Sequence, residues 1–362
     1  MNRRLGRIGA RLLGAALVGL VLWLVGWQDR VRAADGTELH GRVGRGTRTE
    51  AVVRTADGER TLAIAAAESG VRRGLGAAFA HLLGAPWAGV GGACALLLSV
   101  VYAVLRWRAL LKGADLDVPL REAMRLAWVG MFFNQVLPMG QVGGDVVKAY
   151  ALAKDRPGRR ARAVVSVVAD RGIGLCVLFA TAAAGVAFGP GGTRLDLARG
   201  IALAMFAFCA LFLGWLMLPR LRARFPLSRA LSRLPFRRLW LAAADGFDVF
   251  GRSPGAVGRS LLWGVGVHAA FLLGLHLLGR ALGAELGAVA LLVAVPVALM
   301  AGALPGLPAG WGVGDMAFWF FLPAAGVPAN EAVALSFLMR AVLMLIALPG
   351  GLLLARGERP RP

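Results

Sequence analysis

Long apolar stretches alternate with short basic ones along most of the chain. The apolar stretches occupy residues 83–105, 163–188, 198–218, 258–279 and 332–355. Each is longer than the roughly 20 residues that a helix needs to cross about 30 Å of hydrocarbon. The pattern therefore predicts an all-α polytopic membrane protein.

A further apolar stretch lies at the N-terminus. It spans Leu12–Trp27 and follows four arginines, a pattern typical of a signal peptide or of a first span. The candidate cleavage site is Val31-Arg32-Ala33, and Arg30 and Arg32 just before the cleaved bond argue against cleavage. We predict that residues 1–27 are a retained membrane anchor.

Residues 28–75 form the one long polar stretch outside the apolar ones. Asp35-Gly36 and Asp57-Gly58 each separate short runs in which apolar and polar residues alternate. Asp-Gly between alternating runs is a strong hairpin signal. We predict a small β-rich extracytoplasmic module of two hairpins, followed by a transmembrane domain over residues 76–362.

Two other apolar regions are interrupted by proline, glycine and aspartate. One interruption runs from Leu137 to Asp145 and reads LPMGQVGGD, and the other runs from Leu307 to Asp315 and reads LPAGWGVGD. Non-helical backbone at membrane depth is tolerated only where protein or a water-filled cavity satisfies its polar groups. Both regions are therefore predicted to be re-entrant hairpins of broken helices.

The two interruptions share the pattern L-P-x-G-x-x-x-G-D at an offset of 170 residues. Each is followed by a serine and then an arginine, Ser166 with Arg171 and Ser336 with Arg340. If each hairpin returns to the side of the membrane from which it entered, the segments on the cytoplasmic side carry a net charge of +20. The segments on the opposite side then carry a net charge of +2. This positive-inside distribution makes the two copies enter from opposite sides. Such an inverted repeat with broken helices is typical of transporters.

Ionisable side chains at apolar depth are costly unless they are paired or wet, and so they are candidate functional groups. We expect Arg171 and Arg340 to bind an anionic headgroup, and Asp145 and Asp315 to take up protons or bind a cation. The alternative is that the aspartates only cap helices and the arginines are counter-ions. The predicted substrate-binding residues are Asn134, Gly140, Gly144, Asp145, Arg171, Gly310, Gly314, Asp315 and Arg340.

The composition narrows the function classes. The chain is 58% hydrophobic with a net charge of +21, and its basic residues lie between the apolar stretches, which predicts membrane lipids rather than nucleic acid as partners. Three cysteines occur without CxxC spacing, and His268 and His276 do not share one helix face. No catalytic triad, phosphate-binding loop or zinc motif is present in the sequence. We therefore expect neither a cofactor, nor a metal, nor an enzyme.

The segment from Phe133 to Tyr150 resembles the transmembrane region of lysylphosphatidylglycerol synthases and of related flippase-like membrane proteins. That family typically has an asparagine, then L-P-G-G-x-G-G-D, then a basic residue. The matching residues here are Asn134, Leu137, Pro138, Gly140, Gly143, Gly144, Asp145 and Lys148. In the second block, Gly312, Gly314, Gly326, Val327, Ala332, Ser336 and Arg340 match. Asp315 replaces a glutamate and Gly314 an arginine of the family pattern.

The resemblance implies that the transmembrane region moves lipids between leaflets. The synthases carry a separate C-terminal catalytic domain, whereas this chain ends at Pro362, so the resemblance implies transport rather than synthesis. We expect a lipid flippase of a bacterial inner membrane, with both termini cytoplasmic. Two alternatives remain open. One is a membrane-embedded lipid transferase that uses Asp145, and the other is a scaffold that binds a cell-envelope partner through residues 28–75.

Overall fold

The structure is a computed structural model. It describes residues 75–137, 139, 141–188, 192–218, 221, 224, 247–303 and 309–355, and the backbone of 29–32, 38–43, 50–55, 58–63 and 71–72. The predicted anchor over residues 1–27 lies outside the described residues. The same holds for Pro138, Gly140 and residues 304–308 in the two interruptions.

Five short strands lie within the segment for which the sequence predicts β structure. They are β1 Asp29–Arg32, β2 Glu38–Val43, β3 Glu50–Thr55, β4 Gly58–Ala63 and β5 Val71–Arg72. They pair antiparallel in the order β4-β3-β2-β1-β5. The side chains and turns of this segment lie outside the described residues, so the two-hairpin module and its boundaries stay a prediction.

The rest of the described chain is helical. The helices are α1 Leu75–Gly84, α2 Pro86–Gly113, α3 Leu120–Val136, α4 Gly143–Lys154, α5 Arg160–Gly185, α6 Thr193–Met217, α7 Pro254–Ala281, α8 Val295–Ala303, α9 Val313–Phe321 and α10 Ala329–Ala355. A π-helical turn, Ala290–Ala294, precedes α8. Pro86 and Pro254 begin α2 and α7, where a missing N–H costs no helical hydrogen bond.

Five of these helices are long and apolar enough to cross a membrane: α2, α5, α7, α10 and the part of α6 over Thr193–Trp215. They coincide with the five apolar stretches of the sequence. Large apolar side chains are exposed on their outer faces, among them Trp87, Phe208, Leu211, Leu262 and Leu345. Exposed apolar surface on this scale fits a protein whose solvent is lipid.

The order of the helices recurs along the chain. In the first half, residues 86–185, the long α2 is followed by α3, a break, the short α4 and the long α5. In the second half, residues 254–355, the long α7 is followed by α8, a break, the short α9 and the long α10. Helix α6 lies between the halves. Each short helix begins within its interrupted motif, at Gly143 or Val313, and the depth at which the motifs lie in a bilayer stays a prediction.

The two long helices that begin the halves pack against each other through glycine. A Cβ atom on Gly92 would lie 2.7 Å from Leu278, and one on Gly274 would lie 2.9 Å from Leu96. Small residues let two helix backbones approach closely, which is how helices associate where lipid removes the hydrophobic driving force. The contact between α2 and α7 thus joins the two halves.

Candidate functional site

The first motif joins its aspartate to the arginine that follows it. Asp145 lies in the first turn of α4, and Arg171 lies on α5. The Arg171 Nε donates to Asp145 Oδ2 over 2.9 Å, and an Nη of Arg171 donates to the Gln141 carbonyl. The pair remains accessible, because the Asp145 side chain is 23% and the Arg171 side chain 37% exposed.

This pair is one end of a row of alternating charges. The Lys148 ammonium lies 3.6 Å from Asp145 and 3.7 Å from Asp170. Arg106 on α2 donates to both Asp170 oxygens, over 2.8 and 3.2 Å. Three cations thus face two carboxylates, and the row keeps one excess positive charge. Because the row is only partly exposed to solvent, its excess positive charge favours binding of an anion nearby.

The second motif makes the equivalent ion pair in a closed environment. The Arg340 Nε donates to Asp315 Oδ1 over 3.0 Å, and the two side chains are 5% and 0% exposed. Ser336 donates to the same oxygen over 2.6 Å, and the Gly312 N–H donates to the other over 2.8 Å. Another Arg340 nitrogen donates to the Ala309 carbonyl. Asp315 therefore caps α9 and anchors Arg340 at once.

The two motifs touch each other. The Ala309 N–H, in the second motif, donates to the Asn134 carbonyl over 2.9 Å. The Asn134 side chain accepts the Gly144 N–H, at the start of α4, over 2.6 Å. Asn134 therefore satisfies an otherwise free N–H at the start of the first broken helix and also binds the backbone of the second motif.

The glycines of both motifs serve close packing. A Cβ on Gly144 would lie 1.8 Å from the Gly130 carbonyl oxygen, and one on Gly310 would lie 2.0 Å from that of Gly302. Gly310 also has a positive φ of 70°, which favours glycine. A Cβ on Gly314 would lie 2.2 Å from an Nη of Arg340. Gly144, Gly310 and Gly314, which are predicted to bind substrate, are packed closely against protein groups in the structure.

A cavity of about 290 Å³ opens beside the two motifs. Arg106, Arg171 and Arg340 line it from α2, α5 and α10. The polar residues that share its wall are Ser99, Asn134, Gln135, Gln141 and His268. The apolar remainder comes mainly from Val, Leu, Met and Phe side chains, such as Leu178, Phe271 and Met300. A mostly apolar cavity with a few convergent polar groups has the composition of a small-molecule site.

Of the predicted site residues, Asn134, Arg171 and Arg340 line the cavity, whereas Arg106, which also lines it, was not predicted. The charge pattern ended the first span after residue 105 and assigned Arg106 to an inside loop, whereas α2 continues to Gly113 and buries Arg106. The apolar spacing of Val104, Trp107 and Leu110 was the available signal, because it continues the helix past the charge. Gly140, a predicted site residue, lies outside the described residues.

The two motif aspartates and His268 are all bonded to other protein groups. Asp145 and Asp315 do not line the cavity of about 290 Å³, whereas the arginines that bind them do. The His268 Nε2 bonds to the Gly174 carbonyl over 2.9 Å. Among the described residues, no cluster of three His, Cys, Asp or Glu side chains is arranged to hold a metal ion.

Short stretches of the chain are similar to known membrane proteins. The chain is 31% identical over 75 residues to a UPF0104 membrane protein of Pyrococcus horikoshii and 35% identical over 69 residues to one of Methanothermobacter thermautotrophicus. These matches cover 20% and 19% of this chain and 22% and 20% of the relatives, so they span about a fifth of each protein. No solved structure matches the chain.

One family matches much more of the chain. The family described as the lysylphosphatidylglycerol synthase TM region matches residues 61–351, which include both motifs, four of the five candidate membrane-spanning helices and most of α10. This range begins in the strand segment and ends within α10. The expected resemblance is confirmed: the chain is a multi-pass integral membrane protein that belongs to the lysylphosphatidylglycerol synthase transmembrane-region family.

Proposed function

We propose that the protein moves an anionic amphipathic lipid between the leaflets of the bacterial inner membrane, without chemical change. The observation that carries the proposal is the shared cavity. Arg171 and Arg340, each of which follows one copy of the repeated motif, line it together with Arg106. Guanidinium groups bind phosphate oxygens by paired, charge-assisted hydrogen bonds.

The cavity has the size and composition for a headgroup. Its volume of about 290 Å³ corresponds to roughly ten water-sized groups of about 30 Å³ each. This is enough for a phosphate and a small substituent, whereas the acyl chains have to stay in the bilayer. The apolar side chains on its wall suit the glycerol and upper-chain region of a lipid.

We further propose that the two halves are inverted repeats with re-entrant hairpins. Their helix order, the Gly130–Gly144 and Gly302–Gly314 contacts and the two Asp–Arg pairs support a duplicated unit. The positive-inside charge distribution supports opposite orientations and cytoplasmic termini. Alternating access in such proteins occurs by movement of one repeat against the other around a fixed site.

The lipid moves either down its own concentration gradient or coupled to the movement of an ion. Of the two motif aspartates, Asp145 is the better coupling site because its side chain is 23% exposed, whereas that of Asp315 is fully buried and bonded on both oxygens. A lipid phosphate that bound Arg171 would compete directly with Asp145 for the guanidinium. Binding of the lipid and release of the carboxylate are therefore linked.

The experiment is a scrambling assay in proteoliposomes with a fluorescently labelled anionic phospholipid and an external quencher. We expect Arg171→Gln to slow transbilayer movement by at least about ten-fold, since hydrogen bonds to charged groups are worth about 1.5–3 kcal/mol. The matched control is Arg121→Gln, because Arg121 is exposed near the start of α3 and does not line the cavity. Scrambling by Arg171→Gln at the wild-type rate would refute the assignment.

A second arm tests the scaffold alternative. Deletion of residues 29–72 removes the strand segment and leaves both motifs and the cavity in place. A transporter keeps its scrambling activity after this deletion. If the deletion abolished the cellular phenotype while scrambling stayed normal, the scaffold role would be the physiological one.

A further inference from the structure

A second, smaller cavity of about 160 Å³ adjoins the first, and Arg106 and Arg171 line both cavities. The wall of the smaller cavity also contains the two carboxylates of the charged row and the ammonium between them, Asp145, Asp170 and Lys148. The whole row of alternating charges therefore faces the smaller cavity, and its two arginines also face the larger one.

Lys148 is bound tightly to neither of its two carboxylates. Its ammonium lies 3.6 Å from Asp145 and 3.7 Å from Asp170, farther than the hydrogen-bond distance of about 2.7–3.2 Å. The Trp107 ring, whose centroid is 4.4 Å away, holds the ammonium between them by a cation–π contact. Asp170 does not depend on Lys148, because Arg106 donates to both of its oxygens. A movement of less than about 1 Å would therefore give Lys148 a full hydrogen bond to Asp145.

A count of the charges shows what this ammonium does when an anion binds. In the row as it stands, three cations face two carboxylates. A monoanion that takes Arg171 from Asp145 makes the numbers equal, and Lys148 then supplies the cation that Asp145 has lost. Without Lys148, the same anion would leave two cations facing three negative charges, and an uncompensated charge inside the protein is costly. Uptake of one proton would then be needed to restore the balance.

We propose that Lys148 is a charge-compensating residue that lets Arg171 exchange Asp145 for an anion without uptake of a proton. Asp145 stays ionised during the exchange and becomes a proton site only when Lys148 is removed. Of the two energy sources named above, the exchange then requires only the lipid's own gradient. The proposal rests on the proposed function, since it concerns the exchange of partners at the same arginine.

The charge count includes every charged side chain of the described residues that lines the smaller cavity, and α3 contributes only neutral groups there, such as Asn134. On the wall of the larger cavity, Arg340 of α10 is paired with the buried Asp315 of α9 and adds no net charge. His268 of α7 is the remaining titratable group on that wall, and its Nε2 bonds to the Gly174 carbonyl. Because His268 is present in every variant used below, it does not cause a difference between them.

The experiment measures scrambling of acyl-chain-labelled phosphatidylglycerol in proteoliposomes of the full-length protein. The range is about pH 5.5 to about pH 7.5, in which the phosphodiester keeps one negative charge and ordinary carboxylates stay ionised. We expect the wild-type rate to change by less than about two-fold. In Lys148→Met, a binding step that takes up one proton weakens by up to about ten-fold for each unit of rising pH. The rate of this variant should therefore fall by about ten-fold or more across the range.

Three further variants separate the charge of Lys148 from its packing. Lys148→Arg keeps a cation beside Trp107 and should keep the flat pH profile. Lys148→Met combined with Asp145→Asn leaves two cations and one carboxylate, so a monoanion again balances the charges and the pH dependence should disappear. The matched control is Lys154→Met on the same helix, because Lys154 is exposed and lines neither cavity. This control should have the wild-type profile.

The outcomes separate this proposal from the proposed function. A wild-type rate no higher than that of protein-free liposomes would refute the proposed function and the inference with it. Equally flat profiles for the wild type and Lys148→Met would overturn the inference and leave the function standing, and so would pH dependence that persists in the double variant. A wild-type rate that itself falls about ten-fold with rising pH would also overturn the inference, because a proton would then accompany the lipid with Lys148 in place. This wild-type result decides the matter even where Lys148→Met does not fold.

Discussion

The two Asp–Arg pairs of the molecule have the same chemistry in different surroundings. Arg171 lines the cavity, and the Asp145 carboxylate that it binds also lies 3.6 Å from the Lys148 ammonium. Asp315 and Arg340 are almost fully buried, and Ser336 and backbone groups occupy the remaining positions on the carboxylate. The difference indicates that one copy of the motif holds the fold together while the other remains free to exchange partners.

The largest expected effect in this comparison is loss of stability on removal of Arg340. Arg340→Met leaves the Asp315 carboxylate buried without its cation, and breaking a buried ion pair on one side costs about 3–5 kcal/mol. We expect a marked fall in the unfolding temperature of the detergent-solubilised protein. The measurement is thermal unfolding followed by intrinsic tryptophan fluorescence.

The double variant Asp315→Asn with Arg340→Met is the control for this prediction. It removes both charges, so it should recover part of the lost stability, and the non-additive part of the cycle measures the coupling of the pair. Wild-type stability of Arg340→Met would show that Asp315 is held by Ser336 and Gly312 alone.

The next largest effect is expected at the motif glycines. Gly144→Ala and Gly310→Ala each push a Cβ into a backbone carbonyl, at 1.8 and 2.0 Å, and overpacking of this kind typically costs about 1–3 kcal/mol. Gly310→Ala should cost more, because its positive φ adds about 1–2 kcal/mol for any other residue.

The matched control is Gly200→Ala on α6, where an added Cβ meets no atom within 4 Å. This change should be neutral or slightly stabilising, because alanine is the better helix former. The same unfolding measurement applies to all three variants. Equal unfolding temperatures for Gly144→Ala and Gly200→Ala would contradict the close helix contact at Gly130.

Several parts of this fold and site follow from the sequence for physical reasons. The spans follow from length and hydropathy, because a bilayer has a fixed thickness. The ends of α3 and α8 follow from the proline and glycine residues that come after them in the sequence. The Asp–Arg pairs follow from a motif repeated at a spacing of 170 residues with an arginine 26 or 25 residues later. In each case a short sequence pattern, together with the physical requirements of a membrane, predicts the structural feature.

The asymmetry of the two pairs depends on packing that no local pattern contains. At the same offset of 170, Lys148 corresponds to Phe318 and Asp170 to Arg340, so the sequence shows a charged row in one half only. It does not show that Arg106 closes this row, because Arg106 comes from a different helix, 64 residues before Asp170. Contacts between distant helices decide which charges are buried.

The smallest expected loss of stability is that of Arg171→Gln. Arg171→Gln leaves Asp145 with Lys148 as a remaining cation, and the Arg171 side chain is 37% exposed, so solvent screening reduces the loss to less than about 1 kcal/mol. The unfolding temperature should therefore stay close to that of the wild type, although scrambling is expected to fall. A fall in stability as large as that of Arg340→Met would mean that both pairs are structural. Neither motif arginine would then be free to exchange its carboxylate for a phosphate.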